Sequence, residues 1–186
     1  MNPPSSFTVA DIVADEVNLR TFLQQAVDHY PRLAAFSFTL ELPYRETLSD
    51  YRSLILRFHT EVWQQIGEYS HKRLQACRHS PPTILRWLWE GMSAPGCNMI
   101  LLMNLNTLET VREPSLIDSA LLEMNAAISD AWQTVAGVNN KVTKMSSIII
   151  SRTEKGTFTE PFSQLQAKVD NMVSPVSMAR TGLIFP

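Results

Sequence analysis

The sequence predicts an α+β domain in which an antiparallel sheet of about four to five strands carries helices packed on one face. Three observations predict this fold. Polar and apolar residues alternate along residues 33–42, apolar residues recur every three or four positions over residues 47–75 and 115–137, and the elements follow the order strand, helix, strand, strand, helix, strand. This order is typical of the ferredoxin-like split fold, and it leaves the second face of the sheet solvated, covered by the chain's terminal segments, or used for binding.

The first predicted elements are a helix and a strand. Residues 9–30 carry an apolar stripe at helical spacing and end at Pro31, which cannot continue a helix. In residues 33–42, phenylalanine and leucine side chains fall on one face, whereas Ser37 and Thr39 fall on the other. The strand is therefore expected to be buried on one face only.

A long helix and a hairpin follow. Residues 47–75 show the clearest helical periodicity in the chain, so this helix must lie along an apolar surface. Residues 83–90 and 98–105 are rich in leucine, isoleucine, methionine and tryptophan, and a short loop with glycine and proline joins them. We expect these two segments to pair as antiparallel strands.

The last third of the chain repeats this alternation of helix and strand. Ser115 is the expected N-cap of a helix that ends at Gly137. Residues 144–152 form a further strand around three consecutive isoleucines, and residues 160–173 form the last helix. The organisation predicted is an N-terminal helical segment over 1–30, a single α+β domain over 31–175 and an irregular tail over 176–186.

Composition bounds the class of protein. The 186 residues are 45% hydrophobic and 18% charged, which is typical of one globular domain with its own core. No apolar run approaches the roughly 20 residues needed to span a bilayer. The N-terminus has neither the basic start nor the apolar centre of a secretory signal, so we expect a cytoplasmic protein with no membrane partner.

Charge gives little indication of nucleic-acid binding. The formal net charge is −2, whereas proteins that bind phosphate backbones usually carry a basic excess. The densest basic cluster lies at the end of the long helix and in the loop after it, and is either a solvated helix C-terminus or a nucleic-acid contact. It contains His71, Lys72, Arg73, Arg78 and His79.

Residue types that commonly bind metals do not form a recognisable motif. Cys77 and Cys97 are 20 residues apart, which fits no zinc spacing, and both are predicted to be reduced thiols. His59 lies opposite the apolar stripe of its helix and is predicted to be exposed. We therefore expect no metal site and no cofactor.

Four segments of the chain carry a resemblance to a known family. They are Leu40-Glu41-Leu42-Pro43 in the first strand, Leu85 to Glu90 in the second, Pro95 to Asn104 in the third, and Ser151 to Phe158 before the last helix. Their order and spacing over most of residues 33–180 resemble the inoviral replication-protein-like family, whose members are related to rolling-circle replication initiators.

The resemblance implies a replication-initiator-like split βαβ fold without its catalytic groups. In that family two histidines on the third strand hold a divalent metal, and a tyrosine on a later helix attacks a DNA phosphate. Gly96 and Asn98 occupy the two histidine positions here, and the helix over 160–173 has no tyrosine. Ser37 and Thr39 stand where the family tends to carry arginine and aspartate. The resemblance thus implies that the chain is not an enzyme.

The first functional hypothesis is a non-catalytic replication-initiator-like protein of a mobile element or prophage, which binds DNA or a replication or regulatory complex without cleaving it. The alternative is a protein-interaction module that sequesters or regulates a host or phage protein, and a third hypothesis is a nuclease with unrecognised ligands. Trp87 and Trp89 are either core residues or part of the binding surface. The residues predicted to contribute to binding DNA or a protein partner are Arg86, Trp87, Trp89, Lys141, Lys144 and Arg152.

Overall fold

The part of the chain that the computed structural model describes contains five strands and five helices. The structure describes residues 16–76, 78, 80–90, 95–108, 117–152 and 159–179, with side chains from residue 19 onward. The elements are α1 (Glu16–His29), β1 (Arg32–Glu41), α2 (Leu48–Gln75), β2 (Arg86–Trp89), β3 (Gly96–Asn104), α3 (Leu105–Leu108), α4 (Ile117–Ala136), β4 (Val142–Ser151), α5 (Thr159–Asp170) and β5 (Val176–Ala179).

The strands form one sheet in the order β4-β1-β3-β2-β5, and every pair of neighbours is antiparallel. The predicted hairpin is present, since β2 pairs with β3 from Arg86 opposite Leu102 to Trp89 opposite Met99. The predicted α+β class and antiparallel sheet are therefore confirmed.

Helices cover both faces of the sheet. The first face packs against α2 and α4, as the sequence predicts. Phe58 of α2 is central to this layer, because its ring makes edge contacts with Phe38 at 6.1 Å, Trp87 at 5.7 Å and Trp132 at 5.5 Å between centroids. The second face, whose state the sequence left open, packs against α1 and α5, the helices nearest the two termini.

Local capping explains where the longer helices begin and end. Thr47 precedes α2, and its Oγ1 accepts a hydrogen bond from the backbone N–H of Asp50 at 3.1 Å. Gly137 follows α4 with φ of +98°, a conformation that glycine adopts without a Cβ clash. Its N–H donates to the carbonyl of Gln133 at 2.9 Å and closes the last turn.

The prediction of an irregular tail is wrong for residues 176–179. These residues form β5, which pairs with β2 from Val176 opposite Trp89 to Ala179 opposite Arg86. The segment has only four residues, so its strand conformation depends on the backbone hydrogen bonds that β2 offers and on the packing of Val176 and Met178 against the core. The other residues of the predicted tail lie outside the part that the structure describes, as does Cys77.

His59 is buried, contrary to the prediction that it is exposed. Its side chain is only 3% exposed, and its ring stacks on Trp87 with centroids 4.0 Å apart and planes 12° apart. Trp89 contacts the same imidazole edge-on at 5.0 Å. The prediction fails because His59 follows Ile55 by four residues and precedes Val62 by three, so it shares the buried face of α2, and the two tryptophans of β2 pack against it.

Candidate functional site

A polar pocket lies between the second face of the sheet and the C-terminal half of α5. Its volume is about 230 Å³. Strand alternation explains why it is polar, because the residues of β1 that lie between Phe36, Phe38 and Leu40 point to the opposite face. The polar side chains that line it are Ser37, Thr39, Glu90, Asn98, Lys144, Lys168 and Asn171.

Thr39 and Asn98 form the floor of the pocket. They lie directly opposite each other on β1 and β3, and Thr39 Oγ1 donates a hydrogen bond to Asn98 Oδ1 at 2.6 Å. The amide oxygen of Asn98 is thus already an acceptor within the sheet. Its amide nitrogen can only donate hydrogen bonds, which favours an anionic ligand over a cationic one.

A β-bulge places Lys144 at the rim. Ser37 lies opposite Ser146 and Thr39 lies opposite Thr143, so two steps along β1 correspond to three steps along β4. The extra residue distorts the ladder near Lys144, whose φ of 53° is in the left-handed region. This conformation costs a residue with a Cβ about 1–2 kcal/mol. The bulge brings an exposed lysine to the lining of the pocket.

Lys168 approaches the pocket from α5. The neighbouring residues Leu165 and Val169 are buried against the sheet, and this packing fixes the rotation of the helix. Lys168 is half-buried, and its Nζ donates to Ser146 Oγ at 3.3 Å. The ammonium group therefore lies at the junction of α5 and β4.

Glu90 is the single carboxylate in the lining. Its Oε1 accepts a hydrogen bond from the backbone N–H of Val173 at 3.4 Å, just beyond α5. Burial, together with the charge of Glu90, raises the pKa of the Cys97 thiol to about 12. Two ammonium groups against one carboxylate, surrounded by hydroxyl and amide groups, form a surface suited to an anion such as a phosphate.

Gly96 and Asn98, which the resemblance aligns with two metal-binding histidines, both lie on the face of the sheet opposite the layer of α2 and α4. Gly96 precedes Asn98 by two residues on β3 and lies opposite Glu41 of β1. A Cβ at Gly96 would lie 3.3 Å from Cγ2 of Thr39, so any larger side chain must displace that methyl group. Among the residues that the structure describes, no group of three or more histidine, cysteine, aspartate or glutamate side chains could hold a metal ion.

Three of the predicted binding residues have little accessible surface. Trp87 and Trp89 belong to the core against α2, which is the alternative that the sequence left open. Arg86 is 7% exposed on the opposite side of β2, and its Nη2 lies 3.2 Å from Nδ1 of His29. Burial lowers the pKa of its guanidinium. The prediction that these three residues form a binding surface is therefore wrong. They are interior residues, because helices or terminal segments cover both faces of β2.

The three remaining candidates are exposed at separate places along β4. Lys141 precedes the strand, and its backbone N–H donates to Glu41 Oε2 at 3.0 Å. Arg152 follows the strand, and its Nη2 donates to the carbonyl of Asp28 at 3.0 Å. Only Lys144 lies in the pocket. Sequence reasoning missed Lys168, although its position between two buried residues of a predicted amphipathic helix indicates a lysine close to the sheet.

Within the described residues, no helix combines the length and the apolar character needed to cross a membrane. No curated protein and no solved structure shows significant similarity to the chain. Residues 7–147 match the family described as uncharacterised conserved protein UCP030791, a match that covers more than half of the 186 residues. The chain belongs to this family.

Proposed function

We propose that the protein binds DNA through its phosphate backbone and does not cleave it. The observation that supports this function is the convergence of Lys144 from β4 and Lys168 from α5 on one pocket. Each lysine brings one positive charge, and Thr39 and Asn98 add hydrogen-bonding groups between them. Lysine and hydroxyl contacts of this kind position a nucleic acid without reading its sequence.

The location of the pocket is consistent with a non-catalytic replication-initiator-like protein of a mobile element or prophage. In the resembled family the metal-binding strand and the tyrosine helix enclose the DNA phosphate. Asn98 of β3 and Lys168 of α5 lie on corresponding sides of the pocket here. An amide and an ammonium group can bind a phosphate, but neither supplies the nucleophile or the two metal ligands of the cleavage reaction.

The size of the pocket favours single-stranded DNA. A cavity of about 230 Å³ can receive a phosphodiester group but not a base pair. A single strand can bend its backbone into such a recess, whereas a duplex can only touch its rim. We therefore propose that single-stranded DNA binds more tightly than a duplex of the same length.

Fluorescence anisotropy tests this function. Labelled single-stranded and double-stranded oligonucleotides are titrated with protein at salt concentrations from about 50 to about 200 mM, the range in which counterion release weakens binding steeply. Each lysine contact with a single strand contributes about 0.7 to the salt slope, so replacing Lys144 and Lys168 with glutamine lowers the slope by about 1.4. The matched control is Arg57→Gln, which removes an exposed charge from α2 on the other side of the sheet.

Three results would contradict the proposal. An unchanged salt slope in the double-lysine variant would show that the pocket is not the binding site. Absence of any DNA binding at low salt would exclude the proposed function and favour the protein-interaction alternative. Nicking of supercoiled plasmid in the presence of Mg²⁺ contradicts the proposed lack of cleavage.

A further inference from the structure

The outer side of β4 is a long edge of the sheet. β4 is the first strand in the order β4-β1-β3-β2-β5, so β1 is its one neighbouring strand in the described part of the chain. The strand at the opposite end, β5, has only four residues, and a very short edge strand offers little to an incoming strand. β4 has ten residues. It is therefore the edge at which a further strand has room to pair.

The register of β4 shows which of its backbone groups face the outer side. The N–H of Arg152 donates to the carbonyl of Pro31 at 2.9 Å, in continuation of the register between β1 and β4. Hydrogen-bonded and non-hydrogen-bonded pairs alternate along an antiparallel ladder, so every second residue before Arg152 points its N–H and C=O groups towards β1. Ser147 and Ile149 lie between those residues. Their N–H and C=O groups therefore point away from β1.

Most of this edge lacks the features that usually protect an edge strand. Native proteins protect such strands with charged side chains, prolines or bulges. In β4 the bulge and the exposed Lys144 protect only the first part of the strand. Residues 145–151, which we call the open edge, contain no charged residue, no proline and no glycine. Ser147 is exposed there, and Ile148 and Ile149 are half-buried, so the open edge is accessible and partly apolar.

A positive charge lies at each end of the open edge. Lys144 precedes it and Arg152 follows it, and both side chains are exposed. Opposite charges stabilise a pair of residues that face each other on neighbouring strands, whereas like charges destabilise it. The two ends therefore favour an incoming strand that carries acidic residues at both of its ends.

The same charges disfavour a second copy of the chain as the partner. Antiparallel pairing of two open edges about a two-fold axis at Ile148 would place Lys144 of each copy opposite Arg152 of the other. Such a dimer would therefore have like charges opposite each other at both ends of its shared ladder.

Helices on both faces of β4 also leave little room for a second domain. On the first face, Ser129 Oγ of α4 donates to Met145 Sδ at 3.9 Å. On the second face, Lys168 Nζ of α5 donates to Ser146 Oγ at 3.3 Å. The edge strands of two copies would lie about 4.8 Å apart, but packed helices need about 8–10 Å between their axes. A single extended strand without helices of its own fits this space better.

We propose that the open edge binds an extended peptide segment of another protein, with an apolar centre and acidic ends, as a sixth strand of the sheet. The outward N–H and C=O groups of Ser147 and Ile149 would supply the backbone hydrogen bonds, as in other cases of strand addition. Lys144 and Arg152 would bind the acidic ends. The inference does not depend on the proposed DNA binding, although Lys144 belongs to both sites.

Fluorescence anisotropy of a labelled synthetic peptide, titrated with the purified full-length chain, tests this proposal. The peptide alternates valine and threonine between two aspartates at each end, and the control peptide carries lysines in place of the aspartates. Saturable binding of one acidic peptide per chain is expected, about tenfold or more tighter than binding of the control peptide, because its ends are attracted rather than repelled.

Substitutions at Ser147 test the backbone contacts. Ser147→Pro removes an N–H group that points away from β1, so it should weaken peptide binding by about tenfold or more and keep the ladder with β1. Ser147→Ala is the matched control, because it keeps this N–H and should bind the peptide as the unchanged chain does. Amide hydrogen exchange of Ser147 and Ile149 should slow when the peptide is bound.

Charge reversal tests the two ends. Lys144→Glu/Arg152→Glu should reverse the preference in favour of the lysine-ended peptide, a result that a loss of folding cannot produce. Lys168→Gln should weaken DNA binding and leave peptide affinity unchanged, so the two proposals can fail independently.

Four results would overturn the proposal. They are the absence of saturable peptide binding, equal affinity for the acidic and the lysine-ended peptides, equal affinity of the Ser147→Pro and Ser147→Ala variants, and a dimer of the chain alone in sedimentation velocity that Ser147→Pro abolishes. The last result would assign the open edge to a second copy of the chain.

Discussion

Replacing Lys144 with glycine should separate stability from DNA binding at one position. The left-handed backbone at Lys144 costs about 1–2 kcal/mol, which glycine does not incur. Glycine also loses more backbone freedom on folding, and this entropic cost cancels about 0.5–1 kcal/mol of the stability gained from relieving the strain. The free energy of unfolding should therefore rise by about 0.5–1 kcal/mol. For a chain of this size the midpoint of thermal unfolding should rise by about 1–4 °C.

Lys144→Ala is the matched control for this experiment. Alanine removes the same charge but keeps the Cβ, so it should not increase stability. Urea unfolding followed by tryptophan fluorescence measures both variants, because Trp87 and Trp132 are fully buried. Both variants should lose the same DNA affinity. A glycine variant less stable than the alanine variant would refute the inference of backbone strain, and unequal DNA affinities would show that the bulge acts through more than charge.

Four more predictions concern the core and the strand beneath the pocket. Burial and the Glu90 charge raise the pKa of Cys97 to about 12, so iodoacetamide at about pH 8 should modify Cys97 in urea but not in the folded protein. Peptide mass spectrometry measures the extent of modification, and equal modification under the two conditions would contradict the burial of Cys97. The contribution of this thiol to the free energy of unfolding should be complete below its unfolded pKa of 9.0 and should decline as the pH rises towards about 12. Urea unfolding measures this decline, and it should be absent in the Cys97→Ala variant. Phe58→Ala should lower the free energy of unfolding by about 3–5 kcal/mol, because it leaves a cavity among three aromatic rings, and a loss below about 1 kcal/mol would argue against the observed packing. Gly96→Ala should destabilise the protein, because the new Cβ would lie 3.3 Å from the methyl group of Thr39. Thr39→Ser removes that methyl group and should restore stability to the Gly96→Ala variant. A coupling energy near zero between the two substitutions would exclude the contact.

Elements whose pattern is local were predictable from the sequence. The helix predicted over 47–75 is observed as Leu48–Gln75, because its periodicity and the Thr47 cap lie within the segment. The strand predicted over 98–105 is observed as Gly96–Asn104. In both cases the side chains that decide the structure are close together in the sequence.

Features that depend on distant neighbours were not predictable. β5 forms because β2 offers it a free edge, and its four residues are too few for the alternation of Val176, Ser177 and Met178 to predict a strand. The spacing of His59 from Ile55 and Val62 places it on the buried face of α2, but its stacking partners Trp87 and Trp89 follow it by about thirty residues and cannot be identified from the helix alone. The pocket also depends on the register of β1 against β4, because the extra residue in β4 is what brings Lys144 to the rim.

A change of polarity along the second face of the sheet separates core from binding surface. Towards one end this face is apolar and packs against α1 and α5, with Leu33, Ala35, Leu88, Ile100, Leu102 and Ile150 in the contact. Towards the other end the same face carries Ser37, Thr39, Asn98 and Ser146 beneath the last turns of α5. Asn98 and Ser146 are exposed, and Ser37 and Thr39 are half-buried, so the hydroxyl and amide groups at this end keep contact with solvent. Solvent-accessible hydrogen-bonding groups beside Lys144 and Lys168 can bind an anionic ligand without a large cost of desolvation, which is the physical reason to search for binding in this pocket first.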